Sequence, residues 1–184
     1  MTSRREQIIE TTCHLIEMQG YSATGLNQIL AESDAPKGSL YYYFPEGKDE
    51  LVEAAISHTA QIIAERLRTG MDAYEQPAQA IPAFLRDLAQ HVQASGFRAG
   101  GPITAVALEA ASTNERLNAA CRDTYSAWRA VVEEKLLRSG YEPARAQRLA
   151  VVTIALIEGA IILSRSERNV GPLLDAAVAL ERLL

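Results

Sequence analysis

Asp34-Ala35-Pro36-Lys37-Gly38-Ser39-Leu40-Tyr41-Tyr42-Tyr43-Phe44-Pro45-Glu46-Gly47-Lys48 is the stretch on which the reading of this chain turns. Between its two prolines, Lys37 to Phe44 makes only about two helical turns, yet it carries a lysine, a glycine, a serine and three consecutive tyrosines. At roughly 100° per residue, three adjacent phenol rings cannot share one apolar face, so at least one points outward with its hydroxyl free to donate. A helix of this make-up touches something polar.

Toward the N-terminus, Thr2 or Ser3 can cap a first helix whose Ile8, Ile9, Thr12, Leu15 and Ile16 recur at helical spacing, and Gly20 supplies its stop. Tyr21-Ser22-Ala23 is a short connector. Thr24 then stands as the N-cap of a second helix over 25–32 that shows Leu26, Ile29 and Leu30 to the core. Ser33-Asp34-Ala35 is a turn, and Pro36, whose fixed φ suits a first helical position, opens the third helix. Two short helices joined by a tight turn behind a longer one form a helix-turn-helix, whose second member enters the DNA major groove by its N-terminal residues.

Thr24, Ile29, Lys37-Gly38-Ser39-Leu40-Tyr41-Tyr42-Tyr43-Phe44 and Lys48-Asp49-Glu50-Leu51 closely resemble the signature of the tetracycline-repressor (TetR) family of bacterial transcriptional regulators. Pro45-Glu46-Gly47-Lys48, one residue longer than the usual linker, looks like the LmrA/YxaF-like subgroup. The resemblance implies that Lys37 meets a base or phosphate, with Gly38 and Ser39 against backbone or base edges. It further implies that Tyr41 packs inward while donating to phosphate, that Tyr42 and Tyr43 meet backbone or a thymine methyl, and that Thr24 and Lys48 hold phosphates at helix starts. Read without the family, Tyr41 and Phe44 are core residues, Thr24 a cap and Lys48 a solvated charge. Asp34, where glycine is frequent, and Tyr43, where histidine is frequent, depart from the common pattern. Arg4 and Arg5 are either an arm reaching for phosphate or a terminal pair of charges.

Beyond the motif a fourth helix is predicted from Lys48 to about Thr69, burying Leu51, Ala54, Ala55, Ile62, Ile63 and Leu67 and ending at Gly70. Pro77 or Pro82 opens the next, in which Phe84, Leu85, Leu88 and Val92 recur up to Gly96. A short apolar helix over 103–111 follows. Asn114 then caps a long helix through Leu117, Cys121, Tyr125, Trp128, Val132 and Leu136 to Gly140. Pro143 begins a helix apolar on every face from Ala150 to Leu163, and after Gly171-Pro172 a final helix carries Leu173, Leu174, Ala177, Leu180, Leu183 and Leu184. A helix apolar all round needs a second wall, which a symmetry mate supplies, so a homodimer through the last two helices is expected.

The expected class is therefore all-α, with about nine helices. A three-helix DNA-binding domain, 1–48, precedes a helical ligand-binding and dimerisation domain, 49–184. The family resemblance implies a small-molecule pocket in the second part, with Phe84, Leu88, Tyr125, Trp128 and Ile157 as candidate lining, although core packing explains each. Glu158, a carboxylate in an apolar helix, is either satisfied structurally or kept for a cationic or hydrogen-bonding ligand. The mechanism implied is release: a hydrophobic effector expands the pocket, displaces the fourth helix and spoils the fit of paired recognition helices to a palindromic operator in double-stranded DNA.

Composition bounds the alternatives. With 184 residues, 48% of them apolar and 22% charged, the chain can bury a sizeable core. Its net charge of -5 excludes bulk coating of nucleic acid, and even 1–48 sets Arg4, Arg5, Lys37 and Lys48 against six carboxylates, so any DNA site is local. The longest apolar run, Ala150 to Leu163, contains Glu158 and falls short of the roughly 20 residues of a membrane span. Cys13 and Cys121, with no secretory signal before them, point to reduced thiols in the cytoplasm. His14, His58 and His91 lack metal-ligand spacing and no phosphate-binding glycine loop follows a strand, so neither an enzyme nor a metal or other cofactor is expected. The remaining rival is a helical adaptor that uses the tyrosine cluster as a protein-interaction patch.

Overall fold

The computed structural model describes residues 3–184. Among these are nine α-helices and no strand: α1 (Arg4–Gln19), α2 (Leu26–Glu32), α3 (Lys37–Tyr43), α4 (Lys48–Asp72), α5 (Pro77–Ala94), α6 (Pro102–Glu109), α7 (Glu115–Arg138), α8 (Pro143–Glu167) and α9 (Gly171–Leu183). The all-α class expected from the sequence is the observed one. Ser3 is the cap of α1: its hydroxyl accepts from the Glu6 N–H while the Glu6 carboxylate accepts from the Ser3 N–H, a reciprocal capping box. Thr2 lies outside the described residues.

The chain divides into two compact units. The first comprises the chain up to Gln61 together with Pro102–Thr124, and the second Ile62–Gly101 with Tyr125–Leu184. A functional division at residue 48 does not coincide with this packing, because α6 and the start of α7 return to the motif across long stretches of sequence. In the first unit Ile8, Ile9 and Leu15 of α1 meet Ile29 of α2, Leu40 and Phe44 around α3, and Leu51 and Ala55 of α4. Full burial of each such side chain contributes about 1.5–3 kcal/mol, and that burial fixes the three short helices against one another.

In the second unit α5 lies along α9, and α8 packs on both. Pro77 opens α5, whereas Pro82 sits inside it and forgoes one backbone bond. Gly70 does not end the fourth helix as expected. α4 continues to Asp72 with Gly70 in helical backbone, and a β-carbon there would meet the Phe84 ring at an ordinary 3.6 Å. Ile62, expected inside, is exposed, while Ala64, Leu67 and Met71 carry the buried side of this half of α4. Gly100, at φ +112°, brings the chain so close to Val92 and Ile161 that a β-carbon would lie 3.0 Å from Val92 Cγ2. Glu142 caps α8 by accepting the N–H groups of Ala144 and Arg145.

α8 is longer than the apolar run read from the sequence. By length and composition its 25 residues are enough to cross a bilayer, a test that a core helix also passes; 44% of the most apolar window is buried within the protein. In the single chain Val151, Val152, Ile162 and Leu163 are exposed, as are Leu174, Val178 and Leu183 of α9, the arrangement expected of a helix that needs a second wall.

Candidate nucleic-acid interface

α3 owes its two-faced character to its register. Leu40 and Phe44, four residues apart, are fully buried, and Tyr43 packs beside them as a partly buried flank of the same cluster. Tyr41 and Tyr42 fall on the opposite side, 52% and 79% exposed. The expectation that Tyr41 packs inward is therefore corrected: one step after a buried Leu40, rotation by roughly 100° turns it outward. Tyr43 takes the inward place instead. Its ring meets that of Tyr42 edge to face, with centroids 4.9 Å apart.

Lys37 and Gly38 are exposed at the start of α3 and Ser39 is half-buried. A β-carbon at Gly38 would meet nothing within 4 Å, so no internal packing calls for glycine there. Glycine in a helix costs roughly 1 kcal/mol relative to alanine; here it leaves the backbone open to close approach from outside. Asp34 supplies the turn before α3 at φ +49°, in the left-handed region that asparagine and aspartate tolerate best after glycine. The Arg4 guanidinium donates to the Asp34 carbonyl at 2.9 Å and so ties the turn to α1.

Thr24 is not the N-cap of α2. Gly25 occupies that position, and Thr24 is fully buried with its hydroxyl donating to the Gly20 carbonyl at 2.7 Å. Lys48 is half-buried at the corner of α1, α2 and α4. Its ammonium donates to the Tyr21 carbonyl at 2.8 Å and stands 4.0 Å from the Tyr21 ring centroid. Burial lowers the Lys48 pKa, against the opposing pull of Asp49 and Glu109. Beside it, the Tyr21 hydroxyl donates to Asp49 Oδ1 at 2.8 Å, and burial, then that bond, push the phenol up to about 12. The structure thus brings Lys37, Gly38, Tyr41 and Tyr42 together on one exposed face, with Ser39 and Tyr43 at its edge, and sets Thr24 and Lys48 in the support behind.

All six residues put forward for an effector lie in the second unit. Tyr125, Trp128 and Glu158 are brought together: the Tyr125 hydroxyl donates to Glu158 Oε2 at 3.2 Å, and the Tyr125 and Trp128 rings meet edge to face at 5.6 Å. Trp128 and Ile157 are buried, and Phe84 and Leu88 half-buried. A surface groove of about 460 Å³ lies elsewhere, in the first unit, lined by Arg5, Phe44, Glu53 and His58 among others. None of the six lines it.

A trihelical unit that presents a lysine, a bare backbone and two tyrosines on the second helix of a helix-turn-helix defines the class of DNA-binding transcriptional regulators. Residues 8–55 match the model of the bacterial regulatory proteins of the tetR family, and residues 77–179 that of the LmrA/YxaF-like C-terminal domain. Similarity extends over nearly the whole chain to two proteins of Bacillus subtilis (strain 168). It is 39% identical to the HTH-type transcriptional regulator LmrA, covering 98% of this chain and 96% of LmrA, and 39% identical to the HTH-type transcriptional regulator YxaF, covering 95% and 93%. The fold is also that of a TetR transcriptional regulator from Legionella pneumophila, with TM-score 0.88 and 20% identity over 100% and 98% of the two chains. Escherichia coli NemR in reduced form gives TM-score 0.83 at 22% identity over 97% and 96%. The chain belongs to the TetR family, with a C-terminal domain of the LmrA/YxaF type. It is a regulator of transcription and not an enzyme.

Sequence reasoning missed the support of the motif. Asp49, Glu109 and Arg116 contact it from outside its own three helices, and Asn114 reaches it through Asp49. Only Asn114 carried a local signal, as the residue before a helix; its Oδ1 does accept the Leu117 N–H at 3.2 Å.

Proposed function

We propose that this chain is a cytoplasmic repressor that binds a palindromic operator as a homodimer and leaves it when a small hydrophobic effector binds. Residues 1–48 carry the DNA-reading function and the remainder pairing and effector response. The observation that carries the reading is the outward face of α3, where Lys37, Gly38, Tyr41 and Tyr42 stand exposed over a fully buried Leu40 and Phe44. Lys37 supplies a charge for base or phosphate, the open backbone at Gly38 permits close approach, and the phenols offer donors to phosphate and an edge for a thymine methyl. Thr24, with its hydroxyl committed to Gly20, contributes through the N–H groups at the start of α2. Lys48 gives one of its three N–H donors to the Tyr21 carbonyl and offers the others to phosphate.

The exposed apolar residues of α8 and α9 support pairing of two chains through these helices. Pairing offsets the acidic balance of the motif, since two weak half-site contacts combine into one useful affinity. For the effector, Tyr125, Trp128, Ile157, Phe84 and Leu88 offer apolar and aromatic contact, and Glu158 with the Tyr125 hydroxyl offers a polar end.

Selection of bound duplexes from a random pool tests the function. Enrichment of an inverted repeat with half-sites spaced by whole helical turns is expected, with binding that weakens steeply as salt rises. No enrichment, together with salt-insensitive capture of a protein partner, would instead favour the adaptor.

A further inference from the structure

The corner Gly20-Tyr21-Ser22 is held by more polar contacts than a connector between two helices needs. The carboxylate of Glu109, the last residue of α6, accepts the Ser22 N–H at 2.8 Å and the Tyr21 N–H at 3.3 Å. Gly20, at φ +87°, leaves the room for it, since a β-carbon there would stand 2.4 Å from Glu109 Oε1. Two further ties come from the start of α7. Asn114 donates to Asp49 Oδ2 at 2.7 Å, the carboxylate whose other oxygen accepts the Tyr21 hydroxyl. Arg116 pairs with Glu46, in the loop that leaves α3, and with Glu53 at 3.4 Å. Burial works to raise the Glu109 pKa, but the bonds from Ser22 and Tyr21 and the Lys48 charge outweigh it and hold the carboxyl below 4.5.

The core around Ile29, Leu40 and Phe44 sets how α2 and α3 pack, but apolar contact is non-directional; the Thr24 and Lys48 bonds hold carbonyls of the 20–24 loop and leave its Tyr21 and Ser22 N–H groups to Glu109. Two backbone donors converging on one charged acceptor fix the amide side of the loop, because charge-assisted bonds are strong and directional. We propose that Glu109 is a positioning residue of the DNA-binding motif: by accepting the Tyr21 and Ser22 N–H groups it fixes the loop before α2, and with it the corner of α1, α2 and α4 that holds the start of the helix-turn-helix. The assignment rests on α3 being the recognition helix. Glu109 itself touches no DNA in this role.

Electrostatics and positioning give opposite signs for the same substitution. Glu109→Gln removes a negative charge from a unit that approaches a polyanion, which by charge alone tightens binding. As a positioning residue, Glu109 replaced by Gln loses its charged acceptor, and operator binding weakens. The test uses the full chain, an operator duplex selected with the wild-type protein, fluorescence anisotropy over a salt series, thermal melting, and the ¹H–¹⁵N resonances of Tyr21 and Ser22. Binding weaker by about tenfold, the equivalent of one charge-assisted bond, is expected, with an unchanged salt slope and displaced Tyr21 and Ser22 signals. Displaced signals with equal or tighter binding would overturn the proposal. If Glu109→Gln does not fold, Glu109→Asp keeps the charge one methylene short of the loop. Weaker binding by that variant supports the proposal and unchanged binding overturns it. A wild-type chain that enriches no duplex removes the reading of α3 itself, whereas a binding wild type with an unaffected variant removes only the role of Glu109.

Discussion

Tyr42 and Tyr43 are neighbours in sequence with opposite duties: their rings meet edge to face at 4.9 Å and 79°, yet Tyr42 is 79% exposed while Tyr43 packs against the core of the first unit. The inner ring is a rest for the outer one. Tyr43→Ala is expected to lower unfolding stability by about 1–2 kcal/mol, from lost apolar burial and ring contact. Tyr42→Ala should change it by less than about 0.5 kcal/mol. Urea unfolding of the two variants checks this, and equal losses would contradict the assignment of faces.

Thr24 is expected to act on stability rather than by touching phosphate. Thr24→Val keeps the shape but withdraws the hydroxyl from the Gly20 carbonyl, at a cost of about 1–2 kcal/mol. Thr24→Ser should retain most of the wild-type midpoint. The measurement is the denaturant midpoint at unchanged slope; a neutral Thr24→Val would show that the bond contributes nothing.

Burial pushes the Cys121 thiol from 9.0 up to about 11. Because the folded pKa lies above the unfolded one, the stabilising contribution of the neutral thiol is fully present below pH 9 and is lost as pH rises toward 11. At pH 8 the thiolate is scarce and buried, so iodoacetamide should label Cys121 only as fast as the chain opens. Labelling in native buffer at the rate of an unfolded control would contradict the burial.

Ile162 and Val178 belong to the exposed apolar faces of α8 and α9. Under the proposed pairing, Ile162→Glu places a charge in the seam and converts a dimer at micromolar concentration to a monomer by sedimentation velocity, with operator binding at least about 100-fold weaker. A wild-type monomer, or a variant that remains a dimer, would remove these helices as the interface.

Much of the fold could be read locally, because its signals are local. The 3,4 spacing of Ile8, Ile9, Thr12, Leu15 and Ile16 and the Ser3 and Asn114 caps each involve residues a few positions apart, and Pro36, expected as the first helical residue, stands one place earlier as the N-cap of α3. Tyr41 is placed inward both by the family pattern and by its apolar ring, whereas the rotation from a buried Leu40 turns it outward. Thr24 was misread as a cap because a threonine before a helix has two local partners, and here it takes the Gly20 carbonyl behind it. The Glu109 and Arg116 contacts had no signal: single charges 70 to 88 positions from their partners leave no periodicity or motif.

The central claim, that the outward face of α3 reads DNA, is tested most directly by Lys37→Ala combined with Tyr42→Ala against the selected operator. Both residues are exposed, so the double variant should melt with the wild type. Its operator affinity should fall by about 100-fold or more, from the loss of two contacts of roughly 1–3 kcal/mol each, and its salt slope should be shallower by about 1 if Lys37 meets phosphate. A folded double variant that occupies the operator as the wild type does would contradict the account.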